Sequence, residues 1–245
     1  MSQSYRTRLY EAYRSSMALP RPEELRAHLE SRRPYMTKLI DAYVPPRKSI
    51  RVLELGCGYG SVLYHLQESG YAHLDGVDGS PQQVAAARAL GLHCVRLRGV
   101  SEALQEAGDG SYDVVIAFDV LEHFTREELM TLMDEIHRVL APGGRLIAHV
   151  PNAGGIFGGV VFHGDLTHET CFTSQSIRQL LALTGFGNIR IAEDVPVAHG
   201  LKSAVRRGLW AVFRSIFRLI YAAETGDPGR EIILSQNLLV VSDRP

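Results

Sequence analysis

Two short segments gather side chains that handle protons or bind metals: Asp119-Val120-Leu121-Glu122-His123 and Asp165-Leu166-Thr167-His168. Histidine changes charge nearest to neutral pH, so His123 or His168 can take a proton from a hydroxyl. Asp165 is placed to orient His168, and His168, His123, Asp165 and Glu122 form the candidate catalytic group. The same atoms allow a second chemistry. Carboxylate and imidazole together suit Mg²⁺, Mn²⁺ or Zn²⁺, so Glu122, His123 and His168, with Asp119 or His163 nearby, are also a candidate divalent-cation site. The plainer alternatives are a helix cap at Glu122-His123 and a self-bonded turn at Asp165-x-Thr167-His168.

A second constellation is built to bind. Residues 52–60, Val-Leu-Glu-Leu-Gly-Cys-Gly-Tyr-Gly, read as a buried strand that breaks into a turn before a helix opens at Ser61. Gly56, Gly58 and Gly60 let the backbone come close to a nucleotide-like ligand. Glu54 stands inside the strand and Asp78 ends the next one. An acid about twenty residues past such a turn can take both hydroxyls of a ribose. The alternatives are a tight turn without a ligand and, for Asp78, a cap on the helix at Pro81.

Together, E-x-G-x-G-x-G and the acid ending strand two resemble the class I S-adenosylmethionine (SAM)-dependent methyltransferases. The resemblance implies that Glu54, Gly56, Cys57, Gly58 and Gly60 surround the methionine part of SAM, and that Asp78 and Gly79 meet the ribose. The acid that the family places near the adenine amine is missing or displaced in Arg98-Gly99-Val100-Ser101-Glu102, which leaves the backbone of Val100 and Ser101. Phe118 and Asp119 open the loop that would lie beside the sulfonium. Read with a later histidine, (D/E)-x-x-E-H is similar to metal-using ubiquinone-pathway O-methyltransferases and to 2′-O-methyltransferases of small-RNA ends.

Positioning these residues requires alternating strands and helices. The pattern predicts strands at Arg51–Leu55, Leu74–Asp78, His93–Leu97, Val114–Phe118 and Arg145–Val150, with helices near 61–69, 81–90, 101–106 and 126–140. Strand six is expected at 188–195 and strand seven at 236–242, a pair that is an antiparallel hairpin in the resembling family. The expected fold is α/β: a seven-stranded, mostly parallel Rossmann-like sheet with N-terminal helices and a helical insertion before the last strand. Its parts are a helical cap (1–46), a SAM-binding core (47–197), an amphipathic insertion (198–230) and the final strand (231–245).

The chain has 245 residues and a formal net charge of −1, so no global field draws it to nucleic acid. Three scattered cysteines suggest a reducing compartment. The first residues show no apolar signal-peptide region, and a cytoplasmic location is expected. Leu201 to Tyr221 is the unusual segment. Leu201, Val205, Leu209, Val212, Phe213, Ile216 and Ile220 cluster on one helical face, and Lys202, Arg206, Arg207, Arg214 and Arg218 supply the charge. Such a helix can lie on an anionic membrane surface; alternatively it packs over the sheet or at a dimer interface with its arginines solvated. The segments Val-Pro-Asn and Gly-Asp-x-Thr-His-Glu are similar to bacterial glycan- and sugar-modifying O-methyltransferases. That resemblance implies a small-molecule or lipid-linked glycan acceptor. A phenol or quinone precursor is the second enzymatic reading, and a non-catalytic SAM-binding scaffold the third.

Overall fold

A sheet whose strands are apolar on both faces must be covered by helices on both sides. The computed structural model describes Tyr5, Leu9, residues 21–195, Val197, residues 200–227, Gly229 and residues 232–245. Most of the expected helical segment before Arg21 lies outside these residues. The strands are β1 (Arg51–Leu55), β2 (His73–Asp78), β3 (Val95–Leu97), β4 (Tyr112–Phe118), β5 (Leu140–Pro151), β6 (Gly187–Glu193) and β7 (Asn237–Asp243). They form one sheet in the order β3-β2-β1-β4-β5-β7-β6. The first five strands pair in parallel, whereas β7 runs antiparallel to both β5 and β6. The sheet is therefore mixed rather than mostly parallel, because a β6–β7 hairpin fills its last two places.

Eight α-helices lie among the described residues: α1 (Leu25–Tyr43), α2 (Ser61–Glu68), α3 (Pro81–Ala89), α4 (Val100–Glu106), α5 (Arg126–Val139), α6 (Gly158–Phe162), α7 (Ser174–Leu183) and α8 (Leu201–Thr225). The two-residue period of the strands sorts their side chains between two layers. Leu53, Leu55, Val115 and Ala117 pack with Leu132, Met133 and Ile136 of α5 and Ile177 and Leu181 of α7. Val52, Val114, Ile116 and Ile147 pack on the other face with Met36, Leu39 and Ile40 of α1 and Val62 and Leu66 of α2. Strand β1 lies between β2 and β4, so the chain reverses its winding there and opens a crevice at the carboxyl ends of the strands.

Several boundaries move: β3 starts at Val95 rather than His93, β4 at Tyr112 rather than Val114, and β6 ends at Glu193 rather than residue 195. Strand β5 starts at Leu140 rather than Arg145, since Ala141-Pro142-Gly143-Gly144 is an irregularity within the strand, where the register against Tyr112–Val114 shifts. Helix α5 accordingly ends at Val139. It starts on a reciprocal cap, in which the Thr125 hydroxyl accepts from the Glu128 amide and the Glu128 carboxylate accepts from the Thr125 amide.

Helix α8 docks in an unexpected orientation. No residue of α8 is buried, and Leu201, Val205, Leu209, Val212, Ile216 and Leu219 all stand exposed. Its arginine side turns inward instead. Arg214 pairs with Glu193 of β6, Arg218 lies 3.7 Å from the same carboxylate, and Arg218 donates to the Ile232 carbonyl at 3.4 Å. The expectation of solvated arginines over an apolar contact is thus reversed for these two residues. No helix among the described residues is long and apolar enough to cross a membrane. Replacing Glu193 with Ala should loosen α8 alone. Amide exchange across 201–225 should quicken by about tenfold or more, the scale of a hydrogen bond to a charged group. Amides of β1 and β4 should exchange as before, and unchanged protection of α8 would show that these ion pairs do not hold it.

Candidate active site

The glycine turn is shaped by close contacts. Gly56 has φ +59° and a Cβ there would sit 2.6 Å from Val120, while Gly60 has φ +80° and a Cβ would meet Leu92 at 2.3 Å. Both the backbone conformation and the space exclude a side chain. The Asp78 carboxylate closes the turn from the next strand, accepting from the Gly58 amide and the Ser80 amide, each at 2.8 Å. Burial raises its pKa, and those two amides counter the rise.

Above this turn lies a cavity of about 440 Å³, within the usual range for a small-molecule site. Gly56, Gly58, Asp78, Gly79, Val100, Ser101, Phe118 and Asp119 line it, as does His123. Three expected cofactor residues do not. Glu54 is buried beneath the turn, accepts from the Leu63 amide at 3.3 Å, and is pushed up to about 8 by burial. Cys57 points into an apolar cluster with Leu63, Val84 and Leu92. Gly60 caps α2. The cavity adds Ser80, Gln83, Glu102 and Phe124 to the expected set. The signal for Glu102 was its acidic side chain at the end of the 98–102 segment, where sequence reasoning pointed to the backbone of Val100 and Ser101 instead.

Beyond β4 the backbone itself is unusual. Asp119 has φ +54°, a left-handed conformation that aspartate tolerates better than most residues. It directs the carboxylate to His149 on β5, which donates from Nδ1 to Asp119 at 2.6 Å and from Nε2 to Asp194 at 3.3 Å. Burial opposes a charge on His149, but the two carboxylates overcome it and raise its pKa to about 10. The cavity walls also oppose charge on Asp119, although its side chain faces the open mouth; His149 holds its pKa below the usual value. Asp194 is held low the same way, with Tyr35 of α1 as a further hydrogen-bond partner. Sequence reasoning missed His149 and Asp194. The available signal was a lone histidine near the end of an otherwise apolar strand, two residues before Pro151.

The two histidine segments do meet. A 3-10 turn at Leu121–His123 brings Glu122 inward, and the 165–170 segment locks onto it as the amides of Glu169 and Thr170 donate to the Glu122 carbonyl. The rings of His123 and His168 lie 4.8 Å apart, edge to face. Asp165 does not orient His168 by the expected route. Its carboxylate accepts from the amide and hydroxyl of Thr167, and that hydroxyl contacts His123 Nδ1 at 2.7 Å. His168 instead donates from Nδ1 to the Phe162 carbonyl at 2.7 Å. Its Nε2 lies 3.9 Å from Glu122. Burial lowers the His123 pKa, and the neighbouring His168 lowers it further.

Glu122 is fully buried, and neither carboxyl oxygen has a hydrogen-bond partner among the described residues. Burial first, and then the charge of Asp119, raises its pKa well above the usual range. One ligand atom each from Glu122, His123 and His168 lies within 4.8 Å of the others. The nitrogen-oxygen donor set and the orphaned carboxyl both fit a divalent cation.

The His149 bridge makes stability depend on pH in a defined sense. Its folded pKa of about 10 exceeds the unfolded value near 6.5. The stabilisation is complete below about 6.5 and is lost as pH rises through about 10. The stability advantage of the native protein over His149→Gln, from denaturant midpoints, should be greatest near pH 6 and shrink steadily toward pH 10. An advantage that stays constant over that range would mean His149 is not charged.

Comparison with known proteins agrees with this geometry. A family model described as a methyltransferase domain matches residues 28–191. An uncharacterized methyltransferase of Synechocystis is 34% identical over 94 residues, covering 38% of this chain and 43% of that protein. A ubiquinone biosynthesis O-methyltransferase of Maricaulis maris is 32% identical over 111 residues, covering 44% and 42%. The chain thus spans less than half the length of these curated relatives. Among solved structures, a SAM-dependent methyltransferase from Archaeoglobus fulgidus superposes with TM-score 0.62 at 18% identity, over 96% of this chain and 99% of that one. One from Mesorhizobium loti gives 0.59 at 17% identity, over 84% and 96%. The chain belongs to the methyltransferase-domain family, with the Rossmann-like fold of the class I SAM-dependent methyltransferases.

Proposed function

We propose that the protein transfers a methyl group from SAM to a hydroxyl oxygen. The observation that carries this reading is that one cavity joins the Asp78-closed glycine turn to His123. A donor and a proton acceptor would therefore share an enclosure. In this reading Asp78 takes the ribose hydroxyls, Glu102 takes the adenine amine, and the backbone of Gly56 and Gly58 lies against the methionine part. The acceptor oxygen attacks the methyl carbon, the carbon–sulfur bond breaks as the carbon–oxygen bond forms, and S-adenosylhomocysteine leaves. The hydroxyl proton passes to His123, kept neutral by burial, with His168 placing the acceptor. Most of the acceleration comes from alignment and proton removal.

For the acceptor, the 151–173 sequence pattern supports a sugar hydroxyl. The ubiquinone-pathway relative supports a phenol or quinone precursor as the second reading. The orphaned Glu122 carboxyl supports an alternative to the His123 base, a cation at Glu122, His123 and His168, since the ring nitrogen of His123 not turned to Thr167 can ligate a cation or take a proton but not both. When bound there, it would act as a Lewis acid that makes the acceptor hydroxyl easier to ionise.

Asp78→Ala removes charge-assisted hydrogen bonds worth about 1.5–3 kcal/mol each, so affinity for SAM and its demethylated product should fall at least about tenfold by calorimetry. Asp78→Asn keeps an acceptor for the turn amides and separates ligand loss from loop loss. Unchanged affinity in both variants removes Asp78 from the cofactor site. His123→Ala should lower turnover by about 10² to 10⁴ while SAM affinity holds. His168→Ala should act mainly on the acceptor KM. Loss of activity with chelator, restored by Mg²⁺, Mn²⁺ or Zn²⁺, would establish the cation; indifference to chelator eliminates it.

A further inference from the structure

Most arginines of known partner on this chain face a carboxylate, as Arg33 faces Glu30, Arg138 faces Glu135, and Arg145 faces Asp243. Arg32, Arg206 and Arg207 form no ion pair among the described residues, yet all three line cavities at one place. Arg32 and Tyr35 of α1 face Arg206 of α8 across a cleft of about 270 Å³. Arg206 and Arg207 line an adjoining cavity of about 300 Å³, together with Trp210, Phe157 and Asn237. Asp194 belongs to both cavities and shares the single positive charge of His149 with Asp119.

These cavities adjoin the proposed transfer point. Asp119 lines the cofactor cavity and bonds to His149, and His149 bonds to Asp194. One hydrogen-bonded chain, Asp119–His149–Asp194, therefore links the walls of the two spaces.

We propose that this arginine-lined cleft holds an anionic phosphate group of the methyl acceptor, with Trp210 as its flat apolar wall. The chemistry is that of the side chains. Guanidinium presents paired donors that match phosphate oxygens, and three of them line this cleft against a single carboxylate, Asp194. The half-buried Trp210 ring beside the exposed guanidiniums offers a flat wall for a ring or chain attached to the phosphate. The acceptor is thus a phosphorylated or phosphate-linked molecule, consistent with a nucleotide-linked or lipid-linked sugar. The inference depends on the methyl-transfer reading only for the role of this ligand as acceptor.

Trp210 is the sole tryptophan of the chain, so its emission reports on the cleft. Inorganic pyrophosphate titrated into the 245-residue protein should change Trp210 emission saturably and release or absorb heat in calorimetry. The Arg206→Gln/Arg207→Gln double variant should weaken this binding at least tenfold, and Arg206→Lys/Arg207→Lys should recover part of it. Binding of S-adenosylhomocysteine should be the same in all three proteins. Vesicles of phosphatidylglycerol distinguish the source of the phosphate. A Trp210 response to vesicles that needs the arginines assigns a lipid-linked group, whereas a response to pyrophosphate alone assigns a soluble one. No saturable emission change together with no heat, or equal binding by the glutamine variant, overturns the proposal. Failure to bind S-adenosylhomocysteine would instead defeat the methyl-transfer reading and leave the pyrophosphate result standing.

Discussion

The site depends on a positive charge that burial alone would forbid. His149, 8% exposed, is kept protonated by Asp119 and Asp194 on either side. Breaking a buried pair by removing one partner is far more costly than replacing the pair, because the charge left behind is unmatched. Here the loss of His149 would leave two carboxylates facing each other. The bridge therefore fixes the carboxyl ends of β4 and β5 and the segment after β6 relative to one another, and Tyr35 ties α1 to the same point. The left-handed backbone at Asp119 makes sense as part of this bond. Once that residue is set, the loop from Val120 to Phe124 has little freedom, and His123 enters the cofactor cavity.

The cofactor end of the molecule was legible in the sequence because its logic is local. The strand, three glycines and a helix start occupy consecutive residues, and Asp78 bonds to Gly58 across neighbouring strands. The five central strands were legible for the same reason, since each is a short apolar run between turn residues. The register of β5 was not. Pro142-Gly143-Gly144 looks like a stop in sequence, but the strand continues through it because β4 accommodates the bulge. The mixed sheet follows from a pairing of β7 with β5 that no local pattern encodes.

Around the candidate catalytic group, residue types were easier to recognise than partners. Glu122, His123 and His168 lie close together. Asp165 was matched to the wrong histidine, because the Asx-like turn to Thr167 sends its influence to His123. His149 escaped notice because its partners lie 30 and 45 residues away. Helix α8 posed the same difficulty. Its apolar and cationic faces were clear in sequence, but Glu193 on a separate strand decides which face turns inward.

That docking gives α8 a response to ionic strength opposite to that of an ordinary surface helix. Arg214 and Arg218 remain partly solvated, with side chains 28% and 33% exposed, so dissolved ions weaken their hold on Glu193. The outward row from Leu201 to Leu219 gains in the same solution, because strongly hydrated salts favour burial of apolar surface. Dilute buffer keeps the helix fastened and its oily side tolerated by water. Concentrated salt loosens the fastening while making that side adhesive, so the medium itself decides how firmly this helix belongs to its own chain.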